Sequence, residues 1–411
     1  MIKTPKALRL HLGIFGRINT GKSSFINTLT GQKTSIVSHV KGTTTDIVQK
    51  NMELYPIGPV TFLDTPGIDD NSELGALRMH QTKKTFESSD IAILLLEANI
   101  WTDYEEKFVK QVKHNKTPLI CIINKIDTQV ADDDYIKKIR AASPHILQVS
   151  CRVAKKDEKE RTAILFDFKH ILLTMCPDDF ITPPSIMGDL LLTTKPPHII
   201  MIVPIDIAAP KGRLIMPQVQ SIRDGLDNNA IVSIVKEREY SQFLHQLKNP
   251  PNLVICDSQI VKSMVTNTPS KIQCTTFSTL FSRYKGDIKT LVHGARQIAA
   301  LQKKDVVLIA EACTHHPTED DIGRVKIPRW LDEFVGFHVH CDHCAGIDYP
   351  ENISDYKLII HCGACTLTRR QMLYRIEHAQ KAGVAITNYG IAISLLQGVL
   401  DCVLSPFNMD I

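Results

Sequence analysis

Residues 16–23 read Gly-Arg-Ile-Asn-Thr-Gly-Lys-Ser and fit the phosphate-binding pattern G-x4-G-K-S/T. The segment lies between an apolar stretch and an amphipathic helical pattern, which is the context that such a loop requires. Its glycines allow backbone N–H groups to close around a phosphate, and the following helix start adds partial positive charge. We expect Lys22 to bridge the β- and γ-phosphates of a nucleotide and Ser23 to bind Mg²⁺. The predicted nucleotide contacts of this segment are Gly16, Asn19, Thr20, Gly21, Lys22, Ser23 and Ser24.

Two later motifs supply the remaining phosphate and Mg²⁺ contacts. Residues 64–67 (Asp-Thr-Pro-Gly) follow a short apolar strand pattern, which places the Asp64 carboxylate near Mg²⁺ and the Gly67 amide near the γ-phosphate. Thr44 lies in the run Gly-Thr-Thr-Thr-Asp, where a mobile switch segment supplies a threonine to Mg²⁺ and the γ-phosphate. The residues predicted to act in hydrolysis are Lys22, Thr44, Asp64 and Gly67, with Ser23 and Thr44 as Mg²⁺ ligands.

A third motif indicates which base is bound. Asn124, Lys125 and Asp127 lie in the run Asn-Lys-Ile-Asp, which ends an apolar strand pattern. In GTPases an aspartate at this place accepts hydrogen bonds from the guanine N1 and N2 groups, and adenine offers no such donor pair. Ser150 and Cys151 follow the next strand pattern, where the last base-contacting loop belongs. The predicted ligand is therefore GTP with Mg²⁺, and the predicted activity is hydrolysis of GTP to GDP and phosphate.

The elements that must position these motifs alternate along the whole chain. Short apolar strand patterns lie at 8–15, 60–63, 91–96, 119–123, 146–149, 198–205, 230–235, 253–256, 306–310, 356–360 and 384–386. Helical patterns between them predict an α/β fold with mostly parallel sheets, and a proline-rich passage at 176–197 interrupts the alternation.

We expect three domains: a doubly wound P-loop GTPase sheet at 1–175, a dimerisation unit at 180–265 and a cluster-binding unit at 270–411. The second and third are smaller α/β units with mainly parallel sheets. The middle unit is too small to cover its own sheet well, so we expect it to pair with a second copy in a homodimer.

Composition limits the partners and the compartment. The chain of 411 residues has 48 Lys and Arg against 44 Asp and Glu, and this net charge of +4 argues against nucleic-acid and membrane partners. No apolar run reaches the ~18 residues of a membrane-spanning helix, and the first residues lack the apolar core of a secretory signal. The odd number of cysteines, 11, argues for reduced thiols. We therefore expect a cytoplasmic protein.

Two strand patterns of the third domain run into segments with cysteines. One precedes Cys313-Thr-His315, and the other precedes Cys362-Gly-Ala-Cys365. Ligands collect at the carboxyl ends of parallel strands, so these segments are expected to converge on one pocket. Three thiolates suit three irons of a 4Fe-4S cluster and leave the fourth iron for a labile ligand.

The same stretch is also compatible with structural zinc. The pair Cys341/Cys344 and the pair Cys362/Cys365 are separated by 17 residues, a spacing typical of zinc sites. Zinc would leave Cys313 and His315 without a role. A third interpretation, thiols without a metal, fits such a density of cysteine and histidine least well. The residues by themselves favour zinc on spacing and leave the choice open.

The GTPase segment resembles the TrmE/Era-like branch of GTPases through its phosphate loop and the run at 42–46. Ile68 follows Gly67 where Ras-like enzymes carry the water-orienting glutamine, which implies slow or differently assisted hydrolysis. Asn19 occupies the position that helps to hold a monovalent cation in potassium-activated members, so the resemblance implies activation by K⁺.

Four further segments resemble the HydF family of GTPases, which mature FeFe hydrogenases. They begin at Ala209 (Ala-Pro-Lys-Gly-Arg-Leu-Ile-Met-Pro-Gln-Val-Gln), Cys313 (Cys-Thr-His-His-Pro), Asp355 (Asp-Tyr-Lys-Leu-Ile-Ile-His-Cys-Gly-Ala-Cys) and Thr387 (Thr-Asn-Tyr-Gly). The resemblance implies a GTPase domain, a dimerisation domain and a domain that binds a 4Fe-4S cluster.

The resemblance also implies the role and the cluster ligands. Members act as scaffold or carrier for a transient di-iron precursor, made by two radical-SAM enzymes, and deliver it to the apo-enzyme of FeFe hydrogenase. The implied cluster ligands are Cys313, Cys362 and Cys365, and His315 is a candidate ligand of the fourth iron. The alternative is a TrmE/Era-like GTPase of RNA or ribosome assembly with a structural zinc domain, against which the mild net charge weighs.

Overall fold

The computed structural model describes residues 6–31, 48–65, 82–176, 180, 184–191, 195–204, 214–312, 321–346, 349–350 and 352–408. The chain forms two compact units, Met1–Pro183 and Pro184–Ile411. Four residues with predicted roles lie outside the described residues: Thr44, Gly67, Cys313 and His315. None of the helices in the described ranges is both long enough and apolar enough to cross a membrane.

The first unit contains a six-stranded sheet with the strand order β2-β3-β1-β4-β5-β6. Its strands are β1 Leu10–Phe15, β2 Val48–Leu54, β3 Gly58–Asp64, β4 Ile91–Glu97, β5 Leu119–Asn124 and β6 Ile146–Gln148. Its helices are α1 Lys22–Thr30, α2 Asp103–His114, α3 Asp133–Ala142, α4 Cys151–Ala154 and α5 Glu158–Met175, with a further helical stretch at 82–87.

The central strands of this sheet are buried on both faces. Every residue of β1 and β5 is buried, and separate apolar clusters lie around Leu12 and Phe168 and around Phe15 and Phe108. Parallel sheets covered on both faces have such continuous apolar strands, so these are the strands that the sequence reveals. The strand β2 pairs antiparallel with β3 at the sheet edge and was not predicted, because its residues are mostly polar.

The second unit contains two four-stranded parallel sheets, ordered β10-β9-β7-β8 and β12-β11-β13-β14. The strands are β7 His198–Ile202, β8 Ile231–Val235, β9 Leu253–Cys256, β10 Gln273–Thr276, β11 Val306–Ala310, β12 His340–Cys344, β13 Leu358–His361 and β14 Ala385–Asn388. The helices are α6 Met216–Asp227, α7 Tyr240–Gln246, α8 Val261–Asn267, α9 Phe277–Lys285, α10 Ile288–Arg296, α11 Ile327–Val335, α12 Arg369–Lys381, α13 Tyr389–Leu396 and α14 Leu400–Leu404.

The two sheets of this unit share one apolar core. A single buried cluster includes Ile200 and Val254 of the first sheet together with Leu308 and Ile359 of the second. The strand β10 belongs to the first of these sheets, although it lies beyond residue 265. The three-domain division at 1–175, 180–265 and 270–411 stays a prediction.

The helix α10 packs closely against β14 because it carries a glycine at the contact. A Cβ atom on Gly294 would overlap the backbone of Ile386, so no larger residue fits there without a shift of the helix. This contact holds α10 against β14, an edge strand of the sheet that also contains β11 and β13. Those two strands lead into the segments with Cys313 and Cys362.

Candidate functional site

The phosphate loop joins β1 to α1 and is curled around the Lys22 side chain. The Lys22 ammonium donates hydrogen bonds to the carbonyl oxygens of Gly16 and Arg17, each at 2.8 Å. Gly16 and Gly21 have φ angles of 144° and 96°, and Asn19 is left-handed with φ 65°. These backbone angles shape a loop whose N–H groups precede the first turn of α1, the arrangement that binds phosphate.

Two residues predicted to act around Mg²⁺ are described: Ser23 at the start of α1 and Asp64 at the end of β3. The Ser23 hydroxyl donates to Asp64 Oδ2 at 2.8 Å. The second carboxylate oxygen, Oδ1, is buried and has no hydrogen-bond partner among the described residues. Burial raises the pKa of Asp64, against the opposing effects of the Ser23 hydrogen bond and of the Lys22 and Lys50 charges. A hydroxyl and an orphaned carboxylate oxygen beside a phosphate loop fit a Mg²⁺ ion.

The residues predicted to contact the base lie at the ends of β5 and β6. The Asn124 amide donates to the Thr20 carbonyl at 2.9 Å and accepts from the Cys151 N–H at 3.2 Å. It therefore fastens the phosphate loop to the last loop of the site. The Ser150 hydroxyl donates to Asp127 Oδ1 at 2.6 Å, which orients this carboxylate.

The phosphate loop and the ends of β5 and β6 border one cavity of about 730 Å³, lined by Asn19, Gly21, Asn124, Lys125, Asp127 and Cys151 among others. This volume lies in the ordinary range of small-molecule sites and suits a nucleotide. Lys125 is left-handed with φ 64°, and its ammonium lies 2.7 Å from Glu97 Oε1. Thr128 and the start of α4 continue the same wall.

Sequence reasoning missed an ion pair beneath the phosphate loop. Arg17 Nε donates to Glu105 Oε1 at 2.9 Å, and the Glu105 side chain is fully buried. Glu105 also completes a capping box with Thr102 at the start of α2. The spacing Thr102-x-x-Glu105 was a readable signal for the start of a helix, but nothing local indicates that the same carboxylate binds Arg17.

The cysteine region lies at the carboxyl ends of β11 and β13, which are adjacent. The Cys362 N–H donates to the Ala310 carbonyl at 2.8 Å, and the Ala312 N–H donates to the Cys362 sulfur at 3.1 Å. Ala312 is the residue before Cys313 in the sequence and the last described residue before 321. The two ends carrying Ala312 and Cys362 are therefore in direct contact.

A buried histidine supports this contact from below. His361 is fully buried, and its Nδ1 donates to the Cys362 carbonyl at 2.7 Å. Its Nε2 therefore accepts from Arg375 Nη1 at 2.6 Å. Burial and the Arg375 charge lower the pKa of His361 to about 3, so the ring is neutral.

The pair Cys341/Cys344 lies on a regular strand, β12, rather than on a turn. Side chains three positions apart on a strand point to opposite faces of the sheet, so these two sulfurs do not converge on one ion. In the ranges that the structure describes, no group of three or more His, Cys, Asp and Glu residues is placed to hold a metal. The zinc arrangement of two cysteine knuckles is therefore not formed by this strand.

Family models account for most of both units. The model of the hydrogen maturase F dimerization domain matches residues 186–286, and that of the hydrogen maturase F tetramerization domain matches residues 289–406. The chain belongs to the hydrogen maturase F (HydF) family. The model of a 50S ribosome-binding GTPase matches residues 11–125, so the first unit of this HydF chain is a GTPase domain. The α/β class with a P-loop GTPase domain is thereby confirmed.

The curated relatives of this HydF chain resemble its GTPase domain. The GTPase Der of Sulfurimonas denitrificans is 34% identical over 140 residues, covering 33% of this chain and 28% of that protein. The tRNA modification GTPase MnmE of Prochlorococcus marinus is 36% identical over 132 residues, covering 32% and 28%. The chain thus spans less than a third of the length of these relatives.

Solved structures give a more distant likeness. Era of Aquifex aeolicus bound to GDP and AlF4⁻ is 20% identical with a TM-score of 0.31, covering 58% of this chain and 98% of that chain. The G domain of FeoB from T. maritima is 18% identical with a TM-score of 0.29, covering 39% and 99%.

Proposed function

We propose that this HydF chain hydrolyses GTP in its first unit and, in its second, holds a 4Fe-4S cluster through Cys313, Cys362 and Cys365 during the maturation of FeFe hydrogenase. The observation that carries the cluster proposal is the 3.1 Å hydrogen bond from the Ala312 N–H to the Cys362 sulfur. This bond links the residue before Cys313 to Cys362, the first cysteine of the Cys362/Cys365 pair.

The chemistry of this region suits an anionic iron–sulfur group. A backbone N–H that donates to a cysteine sulfur is a device that stabilises thiolate ligands and tunes the cluster potential. The helix α12 begins at Arg369, shortly after Cys365, and its N-terminal turn adds partial positive charge. When bound, the cluster would supply an iron site open to exchangeable ligands. Cys313, Cys362 and Cys365 would supply the sulfur ligands, and His315 is a candidate ligand of the fourth iron.

The GTPase proposal assigns one task to each part of the nucleotide site. Lys22 and the phosphate-loop amides bind the phosphates, Ser23 and Thr44 bind Mg²⁺, and Gly67 contacts the γ-phosphate. Asp64, bonded to Ser23, lies beside the ion and orients its ligands. Asp127, oriented by Ser150, binds the guanine edge. Asn19 holds a K⁺ ion beside the phosphates. We propose that hydrolysis switches partner binding, with a di-iron precursor as cargo and with two radical-SAM enzymes and apo-hydrogenase as partners.

The cluster proposal is tested by cysteine substitutions in the full chain under anaerobic reconstitution. Cys313→Ser, Cys362→Ser and Cys365→Ser should each lose most of the bound iron and the broad absorption near ~400 nm. The matched controls Cys341→Ser and Cys344→Ser should keep both. Equal iron loss in all five variants would contradict the proposed ligand set. Full retention of iron in Cys362→Ser would exclude Cys362 as a ligand and overturn the proposal. GTP hydrolysis should survive every change, because the nucleotide site lies in the other unit.

His315→Ala separates a ligand from a bystander. The cluster should still assemble in this variant, with an altered electron paramagnetic resonance spectrum if His315 binds the fourth iron, because water can replace an imidazole there. An unchanged spectrum would exclude His315 as the fourth ligand.

Self-association of this HydF chain follows from its dimerization and tetramerization domains. We propose that the dimer forms through β8 and α6. Among the described strands β8 pairs with β7 alone, and its Ile231 and Ile234 side chains are 58% and 48% exposed. On α6, Val219 and Leu226 are also exposed. An open strand edge with exposed apolar side chains is a template for pairing with another copy.

A further inference from the structure

Lys285, the last residue of α9, lies buried beneath the loop that carries Cys362 and Cys365. Its side chain is almost completely inaccessible, with 3% exposed. The ammonium donates to three carbonyl oxygens: Ala364 at 3.2 Å, Cys365 at 3.3 Å and Leu367 at 3.0 Å. An ammonium has three hydrogens, so this one loop takes up its whole hydrogen-bonding capacity.

All three acceptors are neutral, although a buried ammonium is normally paired with an anion. In the described part of the chain, no aspartate or glutamate forms an ion pair with Lys285. The buried cation is thus held by the backbone of the loop that carries Cys362 and Cys365, where the thiolate ligands of a bound cluster would supply the negative charge.

The Cys362–Cys365 loop also contains a residue in an unfavourable backbone conformation. Ala364, between the two cysteines, is left-handed with φ 51°, a conformation that costs free energy for a residue with a Cβ atom. Its carbonyl accepts from Lys285 and from the Leu367 N–H at 3.1 Å. These two hydrogen bonds fix the peptide that determines the direction of Cys365 relative to Cys362.

We propose that Lys285 positions the Cys362–Cys365 loop and serves as the internal counter-ion of the anionic cluster held there, an inference that rests on the proposed cluster function. Its hydrogen bonds set the loop conformation before the cluster binds. Its charge offsets the negative charge of the sulfur ligands and favours the reduced, more negative form of the cluster. Lys285 is the second-to-last residue of the segment matched by the dimerization domain, while the loop lies in the tetramerization match, so this residue joins the two within one compact unit.

Three full-length variants separate the hydrogen bonds from the charge. Lys285→Met removes both, Lys285→Gln removes the charge and retains amide donors, and Lys289→Met removes an exposed lysine four residues away as the control. Melting temperatures identify any variant that fails to fold. The first readout, on the cluster-free protein, is amide hydrogen exchange in peptides covering 362–368. The second, after anaerobic reconstitution, is the midpoint potential of the cluster followed by electron paramagnetic resonance.

We expect exchange in this loop to be faster by about tenfold or more in Lys285→Met and by less in Lys285→Gln, because hydrogen bonds are lost. Both variants should shift the midpoint potential to more negative values, whereas Lys289→Met should match the parent. Unchanged exchange would overturn the positioning role, and faster exchange with an unchanged potential would overturn the counter-ion role. If the parent chain bound no iron, the cluster function would fall with the counter-ion role, and the exchange readout would still decide the positioning role.

Discussion

The Ser23 hydroxyl and the Asp64 carboxylate are joined by a 2.8 Å hydrogen bond at the proposed Mg²⁺ site of the GTPase domain. Ser23 begins α1 and Asp64 ends β3, so the bond links the phosphate loop to the neighbouring strand. Because the other Asp64 oxygen is buried without a partner among the described residues, this carboxylate is more costly to keep ionised here than in water. A cation bound beside Asp64 would offset this free-energy cost of ionisation.

Asp64→Asn should therefore slow hydrolysis strongly while leaving the nucleotide-free protein equally or more stable. Loss of the metal contact should lower kcat by about 100-fold or more, since a metal ion stabilises the transition state by several kcal/mol. The measurements are GTP turnover with varied Mg²⁺ and the melting temperature without nucleotide. Turnover close to the parent's would contradict the Mg²⁺ role of Asp64.

The same substitution has a defined pH dependence. Because burial raises the pKa of Asp64 in the folded state, the folded protein binds this proton more tightly than the unfolded chain does. Stability from this group is thus fully present below its ordinary pKa of 3.8 and is lost as pH rises through the folded pKa. The melting-temperature advantage of Asp64→Asn should be largest at neutral pH and shrink as pH falls. An advantage that grew on acidification would show that the sign is wrong.

Asp127→Asn should weaken GTP binding, because the acceptor for the guanine N–H groups is replaced in part by a donor. Loss of hydrogen bonds to a charged group costs about 2 kcal/mol, which is ~30-fold in Kd. Ser150→Ala is the matched control, since it removes the 2.6 Å hydrogen bond that orients Asp127 but keeps the carboxylate, and its loss should be smaller. Calorimetry with GTP and ATP measures both. If Asp127→Asn kept the parent's preference for GTP over ATP, the guanine contact would lie elsewhere.

Potassium should accelerate hydrolysis relative to sodium at equal ionic strength if the Asn19 side chain binds a monovalent cation as proposed. Asn19 belongs to the phosphate loop and lines the nucleotide cavity, where its amide oxygen is available to such an ion. Asn19→Ala should bring the two rates together while leaving GTP binding in place. Steady-state turnover in the two salts tests this. Equal rates in the parent chain would remove the cation role without affecting the GTPase assignment.

The sequence revealed the parts of the fold and the site that are locally encoded. Parallel strands buried on both faces, such as β5, are continuous apolar runs, and the phosphate loop is a contiguous motif. The strands β2 and β12 were not predicted, because edge strands carry polar residues. The strand β12 reads His-Cys-Asp-His-Cys, and its cysteine spacing by itself indicated a metal knuckle.

Tertiary contacts were beyond the reach of sequence patterns. Arg17 and Glu105 are 88 positions apart, and Lys285 lies 80 positions from Cys365, with no repeat or spacing that connects either pair. Glu105 reads as a capping residue and Lys285 as a basic residue near a helix end, which are ordinary roles. Their additional partners depend on how the helices α2 and α9 pack, and that is decided by the whole core.

Ile234→Lys should weaken self-association, because it places a charge on the exposed edge strand proposed as the dimer contact. Burying an unpaired charge in an apolar contact costs several kcal/mol, so the dissociation constant should rise by about 100-fold or more. The matched control is Val130→Lys, which changes an exposed apolar residue of the GTPase unit, 74% exposed, and should leave association unchanged. Sedimentation velocity over micromolar concentrations measures both. If Ile234→Lys sedimented like the parent, the dimer would have to form through another surface, and if the parent itself were monomeric, neither β8 nor α6 would serve as a contact between copies.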